Sequence, residues 1–360
     1  MRSRLVTLVV VSAMACACGS SSSGDSDATA GGIDANKPGV DASPANPDAG
    51  ANNGPVRFIV MGDVGTGSPD QHAVAAAIKN KCDTDGCQFV ILLGDNIYDA
   101  GVDGTMDDQW RTKFREPYAN IDLPFYAVLG NHDYGGEDPI FGTDQGGLGN
   151  EFDVGLHEVA YTKVDSKWNM PSTYYTIQYG NVGFIMLDTN SIMWDDTTHG
   201  DQRAWYATAL SELSSADWVI AAGHHPLLSN GAHGNAGQYE SIEVGGIELP
   251  ITSWLGLDQL NGNNIKDFFD NTMCGTVDVS FSGHDHNRQW LNENDAFCGG
   301  ELFVSGAGAK TKGWGVGGNA VHWEDATTEG FLYVVIEGDT FTGQFIDKNG
   351  TVNFERSFDR

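Results

Sequence analysis

The sequence predicts an α/β fold in which two β-sheets pack face to face, with helices on the outer faces of this sandwich. Short runs of apolar and β-branched residues recur along the chain, and most of them end in a polar cluster. Helix-forming segments lie between several of these runs, which is the βα alternation typical of layered α/β proteins. The last third of the chain is instead rich in strand-forming runs, and we assign these to the second sheet.

The predicted elements can be placed by residue number. Buried strands are expected at residues 58–61, 89–93, 125–129, 182–187, 218–222 and 277–281. Helices are expected at residues 71–81, 106–118, 202–213 and 262–271. The strands assigned to the second sheet are residues 301–304, 331–336 and 341–346.

The first residues have the pattern of a bacterial export signal, because Arg2 and Arg4 precede an apolar stretch at residues 5–15. This stretch is too short to span a bilayer. The small residues around Cys16 and Cys18 resemble a lipobox, in which one of these cysteines is lipidated after cleavage. The alternative is an ordinary cleaved signal with incidental cysteines. Residues 1–18 are therefore assigned to a signal segment, and we expect an exported protein, either a lipoprotein of the cell envelope or a secreted one.

Residues 19–55 are mainly Ser, Gly, Asp, Ala, Asn and Pro, with almost no large apolar side chains. A segment of this composition cannot bury a core, so we predict a disordered linker. The remaining residues, 56–360, are expected to form one folded domain. Nothing in the sequence indicates an oligomer, and a monomer is expected.

The net charge of -30 limits the possible partners of the protein. Its average potential repels nucleic acids and anionic membranes, so we expect no nucleic-acid partner and membrane contact only through the lipid anchor. A phosphate-bearing ligand would have to be captured locally, and a cluster of bound cations would do that.

Four cysteines follow the predicted signal segment. An oxidising compartment favours their pairing, and the short loop between Cys82 and Cys87 indicates one local disulfide, which leaves Cys274 and Cys298 for a second. A zinc site is the weaker alternative, since neither pair has the close Cys-x-x-Cys spacing.

Polar clusters that begin with glycine follow five of the predicted strands. They are Gly62-Asp63-Val64-Gly65, Gly94-Asp95-Asn96-Ile97-Tyr98, Gly130-Asn131-His132-Asp133, Gly223-His224-His225 and Gly283-His284-Asp285-His286. The loops after the carboxyl ends of strands in α/β sheets converge on one crevice, so these side chains are expected to meet. Each motif alone is weak, because Gly-Asp-x-Gly is common in turns and a single histidine is more often structural. Their occurrence together at strand ends is what indicates a site.

The side chains in these clusters are carboxylates, an amide, imidazoles and one phenol, which suit hard or borderline cations. A single ion could not use so many donors. Two ions roughly 3.5–4 Å apart, bridged by one carboxylate, could use them all. The sequence therefore predicts a centre with two metals.

These motifs resemble those of the calcineurin-like metallophosphoesterases, and in particular the small purple acid phosphatases, also called tartrate-resistant acid phosphatases. The resemblance covers roughly residues 57–309 and includes stretches without candidate ligands, such as residues 167–171 and 186–189. Tyr98, three positions after Asp95, is the residue that distinguishes purple acid phosphatases from most of the superfamily. The resemblance implies that residues 56–360 form a metallophosphoesterase catalytic domain.

The resemblance also implies roles for individual residues. A ferric ion would be held by Asp63, Tyr98 and His286. A divalent ion, which is iron, zinc or manganese, would be held by Asn131, His224 and His284. Asp95 would bridge the two ions. His132 and His233 would contact the substrate phosphate and assist proton transfer without binding metal.

The implied reaction is hydrolysis of a small phosphate monoester by a metal-bound hydroxide, with an acidic optimum. One alternative is a phosphodiesterase or nucleotidase on the same scaffold. Another is a surface binding protein that keeps the fold without catalysis, although the usual mark of such a protein is missing ligands, and all seven are present here.

Three segments depart from the resemblance or remain unassigned by it. Residues 238–258 have no counterpart in the family and form either a rim that alters substrate choice or a surface insertion without a catalytic role. Residues 313–318 form either a mobile loop near the site or a plain surface loop, and the surface loop is the favoured interpretation. Ala309-Lys310-Thr311 lacks the glycine that a Walker loop places before its lysine, so no nucleotide site is assigned there.

Overall fold

The structure, a computed structural model, describes residues 54–136, 146–240, 242–244, 247–249, 258–292, 297–315 and 318–360. The predicted signal segment, with Cys16 and Cys18, and nearly all of the predicted linker lie outside these residues. Within the described part of the chain, no helix is both long and apolar enough to cross a membrane.

Within the residues that the structure describes, the strands form two seven-stranded sheets and one hairpin. Those of the first sheet are β1 (Val56–Met61), β2 (Phe89–Leu93), β3 (Phe125–Val128), β4 (Trp168–Asn169), β14 (Gly330–Glu337), β15 (Thr340–Asp347) and β16 (Val352–Asp359). Those of the second are β5 (Tyr175–Tyr179), β6 (Val182–Met186), β7 (Trp218–Ala222), β10 (Val279–Ser282), β11 (Arg288–Leu291), β12 (Glu301–Ser305) and β13 (Val321–Asp325). The hairpin consists of β8 (Ile242–Val244) and β9 (Ile247–Leu249).

The described residues contain fewer helices than strands. They are α1 (Pro69–Asp85), α2 (Asn131–Tyr134), α3 (Phe152–Tyr161), α4 (Thr189–Trp194), α5 (Gln202–Glu212) and α6 (Asn263–Phe268). Short π-helical segments occur at Trp110–Arg115 and Phe269–Met273, and a 3₁₀ turn at Asp258–Asn261. Helix α1 begins where the Ser68 side chain accepts a hydrogen bond from the backbone N–H of Gln71, as is usual at a helix N-terminus.

Each sheet has a parallel centre. In the first sheet β1 to β4 run parallel, and in the second β6, β7, β10 and β12 do so. The carboxyl ends of parallel strands lie at one edge of a sheet, so the loops that follow them are brought together. All five of the predicted polar clusters follow strands of these parallel groups.

The core between the two sheets is aromatic. The ring of Phe58 stacks on Phe89 in the first sheet, with centroids 5.0 Å apart, and meets Phe184 of the second sheet edge-on at 5.3 Å. Phe281 approaches Phe58 in the same edge-on manner at 6.2 Å. Full burial of such a ring contributes roughly 1.5–3 kcal/mol, so these contacts hold the sheets face to face.

The centre of the second sheet is covered on both faces, which explains why β6 and β7 are apolar throughout. Along β6, Phe184 and Met186 join the core between the sheets, whereas Ile185 joins a second cluster. Side chains of α5 and α6 complete that second cluster, among them Tyr206 and Phe268. Alternate residues of one strand therefore face the opposite sheet and the outer helices.

The prediction that the three runs of the last third belong to one second sheet was wrong. β12 lies in the second sheet, but β14 and β15 extend the first sheet, where β14 pairs antiparallel with β1. The pairing partner of a strand is set by contacts distant in sequence, which the local pattern does not contain.

The helix predicted at residues 106–118 is also shorter than expected, with regular turns only at Trp110–Arg115. The Asp107 carboxylate accepts hydrogen bonds from the backbone N–H groups of Asp103 and Gln109, which keeps the chain before Trp110 in a turn. Pro117 then limits the helix at its other end.

Both predicted disulfides are present, Cys82–Cys87 and Cys274–Cys298. The first closes the end of α1 onto the start of β2. The second joins the end of the π-helical segment Phe269–Met273 to the residues before β12.

Candidate metal centre

The loops after β1, β2, β7, β10 and β12 are joined by backbone hydrogen bonds. Within the first sheet the N–H of Asp63 donates to the carbonyl of Gly94 at 2.9 Å, and between the sheets the N–H of Gly62 donates to the carbonyl of Ser305 at 2.7 Å. In the second sheet the N–H of Gly283 donates to the carbonyl of His224 at 2.9 Å. The polar clusters therefore form one connected surface at the edge of the sandwich.

Three candidate ligands have left-handed backbone conformations. The φ angles are 59° for Asp63, 52° for Asp95 and 68° for His284. Few residues other than glycine adopt this region, although Asp and His do so more often than most. The conformation turns the chain sharply after the strand and directs the side chain into the crevice, and such strain is concentrated at functional sites.

A first group of four donor atoms converges around the Tyr98 hydroxyl, and we call it the first donor set. The hydroxyl oxygen lies 2.7 Å from Oδ2 of Asp95 and 2.9 Å from Oδ1 of Asp63. Nε2 of His286 is 3.3 Å from both the hydroxyl oxygen and Oδ1 of Asp63. These atoms come from loops of both sheets.

A second group converges around Nε2 of His224, and we call it the second donor set. This nitrogen lies 3.0 Å from Oδ1 of Asn131 and 3.2 Å from Nδ1 of His284. Oδ1 of Asp95 is 3.4 Å away from it. The two oxygens of the Asp95 carboxylate thus face different donor sets.

The two donor sets fit bound cations. Adjacent donors around an octahedral ion with bonds of about 2.1 Å lie roughly 3 Å apart, which is the separation of the atoms in each set. Burial and the nearby Asp95 raise the pKa of Asp63 to about 7, against the attraction of His224. Burial and both carboxylates also raise the pKa of Tyr98. A cluster of buried acidic groups of this kind is stabilised by a cation.

Neighbouring groups hold the candidate ligands in place. Nδ1 of His224 lies 2.7 Å from the carbonyl of Leu93, so this nitrogen carries the proton and Nε2 presents its lone pair to the second donor set. The Asp133 carboxylate accepts hydrogen bonds from the backbone N–H groups of Asn96, Ile97 and Gly130. It therefore ties together the loops that carry Asp95 and Asn131.

His132 lies at the mouth of the crevice. Its ring is 4.6 Å from the ring of Tyr98, and its Nδ1 is 2.6 Å from the carbonyl of Asp99. Nε2 of His132 is thereby directed inward, 4.0 Å from Oδ2 of Asp95. This nitrogen can exchange a proton with a molecule bound in the crevice.

His233 lies on the opposite side, with its ring 4.2 Å from that of His284. Its Nδ1 forms an ion pair with Glu240, and its backbone N–H donates to Asp285 at 2.9 Å. Burial lowers the pKa of His233, but the Glu240 carboxylate outweighs this effect and the pKa is raised overall. The protonated form is therefore favoured.

Two lysines also reach the crevice. Nζ of Lys310 lies 3.2 Å from the centre of the Tyr98 ring, and Nζ of Lys312 lies 3.4 Å from Nε2 of His233. Burial lowers the pKa of Lys310, although Asp95, Asp63 and Asp99 oppose that change.

The structure brings all nine residues predicted from the sequence to this crevice. Sequence reasoning missed Asp133, Glu240, Lys310 and Lys312. Asp133 could have been found from the sequence, because it lies next to His132 inside one of the polar clusters. Glu240 and the lysines come from loops that show no local pattern.

Comparisons with known proteins find a matching family model and similar sequences. The family model described as calcineurin-like phosphoesterase matches residues 56–288. The chain is 26% identical over 283 residues to tartrate-resistant acid phosphatase type 5 of Sus scrofa, covering 70% of this chain and 69% of the relative. It is 27% identical over 328 residues to purple acid phosphatase 4 of Arabidopsis thaliana, covering 85% and 82% of the two proteins.

Two solved structures share the fold. The purple acid phosphatase PPD1 of yellow lupin (Lupinus luteus) aligns with a TM-score of 0.58 and 16% identity, over 85% of this chain and 54% of the lupin chain. GAP50, described as the anchor in the inner membrane complex of Plasmodium, aligns with a TM-score of 0.61 and 19% identity, over 85% and 89% of the chains.

Proposed function

The chain belongs to the calcineurin-like phosphoesterase family, and from that premise we propose that it is an acid phosphatase that hydrolyses phosphate monoesters at a centre of ferric iron and a divalent metal. The observation that supports this most directly is the carboxylate of Asp95, whose two oxygens face two separate donor sets. A carboxylate placed in this way suits a bridge between two ions.

The proposed ligands follow the two donor sets. Ferric iron would be held by Asp63, Tyr98, His286 and one oxygen of Asp95. Iron, zinc or manganese in the divalent state would be held by Asn131, His224, His284 and the other oxygen of Asp95. The phenol of Tyr98 favours the ferric ion for the first set, because a hard trivalent cation prefers anionic oxygen donors.

The bound metals would supply positive charge for the phosphate and make a nearby water more acidic. The protein supplies the proton for the leaving oxygen. His233 suits this role because Glu240 orients its ring and favours its protonated form. His132, on the other side of the crevice, donates from Nδ1 to the carbonyl of Asp99, and its imidazolium form can also donate a hydrogen bond from Nε2 to the phosphate.

The proposal is tested by metal analysis, visible spectroscopy and kinetics on protein purified without chelators. Wild type and Tyr98→Phe are compared for p-nitrophenyl phosphate hydrolysis across pH. We expect two metals per chain, a purple colour that is lost or shifted in the variant, and an acidic optimum.

A colourless but active protein that is indifferent to Tyr98→Phe would contradict the ferric assignment. Greater activity on bis(p-nitrophenyl) phosphate than on the monoester would instead favour a phosphodiesterase or nucleotidase.

A second candidate function is binding without catalysis, and the observation that favours it is the fold shared with GAP50, which is described as an anchor. Metal-replete protein that is inert towards every phosphoester tried would support this candidate.

We further propose that the protein is an exported monomer, attached to the cell envelope through Cys16 or Cys18 or secreted, with no nucleic-acid partner. Metabolic labelling with a radioactive fatty acid, compared between wild type and variants of the two cysteines, tests the anchor.

A further inference from the structure

The segment that follows β12, residues 306–315, is fixed across the mouth of the crevice. The N–H of Gly308 donates to the carbonyl of Gly62 at 3.0 Å, and the N–H of Lys312 donates to the carbonyl of His286 at 2.8 Å. A Cβ atom on Gly306 would lie 2.7 Å from Oδ2 of Asp63, so the backbone approaches the centre closely. The lysines of this segment are therefore held in place.

Lys310 and Lys312, which we call the lysine arm, bring positive charge to the crevice. Lys310 lies over the Tyr98 ring, within the field of Asp63 and Asp95. Lys312 contacts His233, and the two lysines are close enough to repel each other. In a chain with a net charge of -30, two mutually repelling cations are held at one site.

The charges around the lysine arm change when the centre binds metals. Asp63 and Asp95 attract Lys310 in the structure, but their charge would then be shared with the metal cations. The ammonium groups would need another anion, and the substrate is the anion that enters this crevice.

The number of free oxygens on the substrate then becomes important. A phosphate monoester has three terminal oxygens, whereas a diester has two. If two oxygens face the two donor sets, only a monoester retains a third terminal oxygen for a lysine.

We propose that Lys310, assisted by Lys312, binds the third terminal oxygen of a phosphate monoester and thereby makes the site select monoesters over diesters. This inference rests on the proposed function and names the residues that set its substrate class.

The experiment measures binding of inorganic phosphate by calorimetry, together with kcat/KM for p-nitrophenyl phosphate and its bis ester. The proteins are metal-replete wild type, Lys310→Met, Lys310→Arg, Lys312→Met and the control Lys79→Met, which removes a lysine from the surface of α1. We expect Lys310→Met to weaken phosphate binding roughly 10- to 100-fold, the value of one charged hydrogen bond.

Lys310→Met should lower kcat/KM for the monoester by a similar factor. It should lower kcat/KM for the diester by less than about threefold. Lys310→Arg keeps the positive charge and should retain most of the phosphate affinity and monoester activity of the wild type. Lys312→Met should lower both by less than Lys310→Met does, and Lys79→Met should leave both unchanged. Metal content is measured for each variant, so that loss of the centre is recognised.

Unchanged phosphate affinity in Lys310→Met, or equal losses for the two substrates, would overturn the lysine proposal while leaving a wild type that is active on monoesters. A wild type inactive on monoesters would contradict the proposed function itself, and phosphate calorimetry would still decide whether Lys310 binds the anion.

Discussion

The two sheets contribute different chemistry to the crevice. The loops of the first sheet carry the oxygen donors Asp63, Asp95, Tyr98 and Asn131. The loops of the second sheet carry the nitrogen donors His224, His284 and His286. Each donor set combines atoms from both sheets, so neither sheet could form either set alone. The centre therefore depends on the packing of the aromatic core, and bound metals should in turn stabilise that packing.

The oxygen donors of the first sheet, which we call the oxygen half, and the nitrogen donors of the second sheet, which we call the nitrogen half, are also held in place differently. The oxygen half is held within its own sheet, because Asp133 connects the loops after β2 and β3. The nitrogen half is held by hydrogen bonds to the first sheet, since His224 donates to the carbonyl of Leu93 and the N–H of His284 donates to Asp63. A substitution in the oxygen half should therefore disturb the ligands of both halves. A substitution next to His233 should affect only the position and charge of that histidine.

Removal of the metals should have the largest effect, because it breaks the link between the sheets. Chelation is expected to abolish activity and to lower the midpoint of thermal unfolding by several degrees, since ligand present at 100 times its Kd stabilises by about 2.7 kcal/mol. Calorimetry of the chelated and the reconstituted protein measures this shift. An unchanged midpoint after verified metal removal would show that the sheets do not depend on the centre.

Asp95→Asn should have the next largest effect, because Asp95 is the side chain shared by both donor sets. The loss of kcat/KM should exceed about 100-fold, which is the upper range for residues that only support a ligand. Asp103→Asn, at an exposed carboxylate in the same connecting segment, is the matched control and should leave activity unchanged. Full activity with two bound metals in Asp95→Asn would remove the bridging role.

Asp133→Asn tests whether the oxygen half depends on its own internal support. The amide cannot accept every backbone hydrogen bond that the carboxylate accepts, so the loops of Asp95 and Asn131 should loosen. A decrease of roughly 10- to 100-fold in metal affinity is expected from titration of the metal-free protein. If affinity stayed the same, the turns themselves would be sufficient to place the ligands.

Glu240→Gln should have the smallest effect, because Glu240 acts only through the ring of His233. We expect a decrease of about tenfold in kcat with little change in KM or metal content, a fraction of the usual contribution of a general acid. Glu337→Gln, an exposed residue at the end of β14, serves as control. A loss of metal from Glu240→Gln would instead assign this carboxylate to the centre, next to His284.

Much of the centre was predictable because each candidate ligand follows a buried strand directly and is preceded closely by glycine. This local signal indicated Asp63, Asp95 and the histidines, which the structure brings to one crevice, and the βα alternation predicted a layered α/β fold. Glu240 was not predicted, because it lies in a stretch of sequence without a recognised pattern, and only the structure shows its contact with His233. Lys310 lies in Ala309-Lys310-Thr311, which lacks the Walker glycine, and its local sequence gives no other sign that it reaches the crevice.

The wrong sheet assignment of β14 and β15 has a physical cause that the local sequence does not contain. β14 pairs with β1 although the two strands lie near opposite ends of the folded part of the sequence. Nothing in the local sequence of either strand specifies the other. The same limit applies to the lysine arm, whose contacts with Tyr98 and His233 join residues far apart in the chain.

The direction of β1 has a consequence for how the domain would be presented on a surface. This strand runs from Val56 to Met61, and Asp63 follows at its carboxyl end. At about 3.3 Å per residue, Val56 lies roughly 17 Å from Met61, at the end of the strand remote from the crevice. Chain preceding Val56 would therefore join the domain at the end of β1 that is remote from the crevice, so that an attachment there would not obstruct the opening.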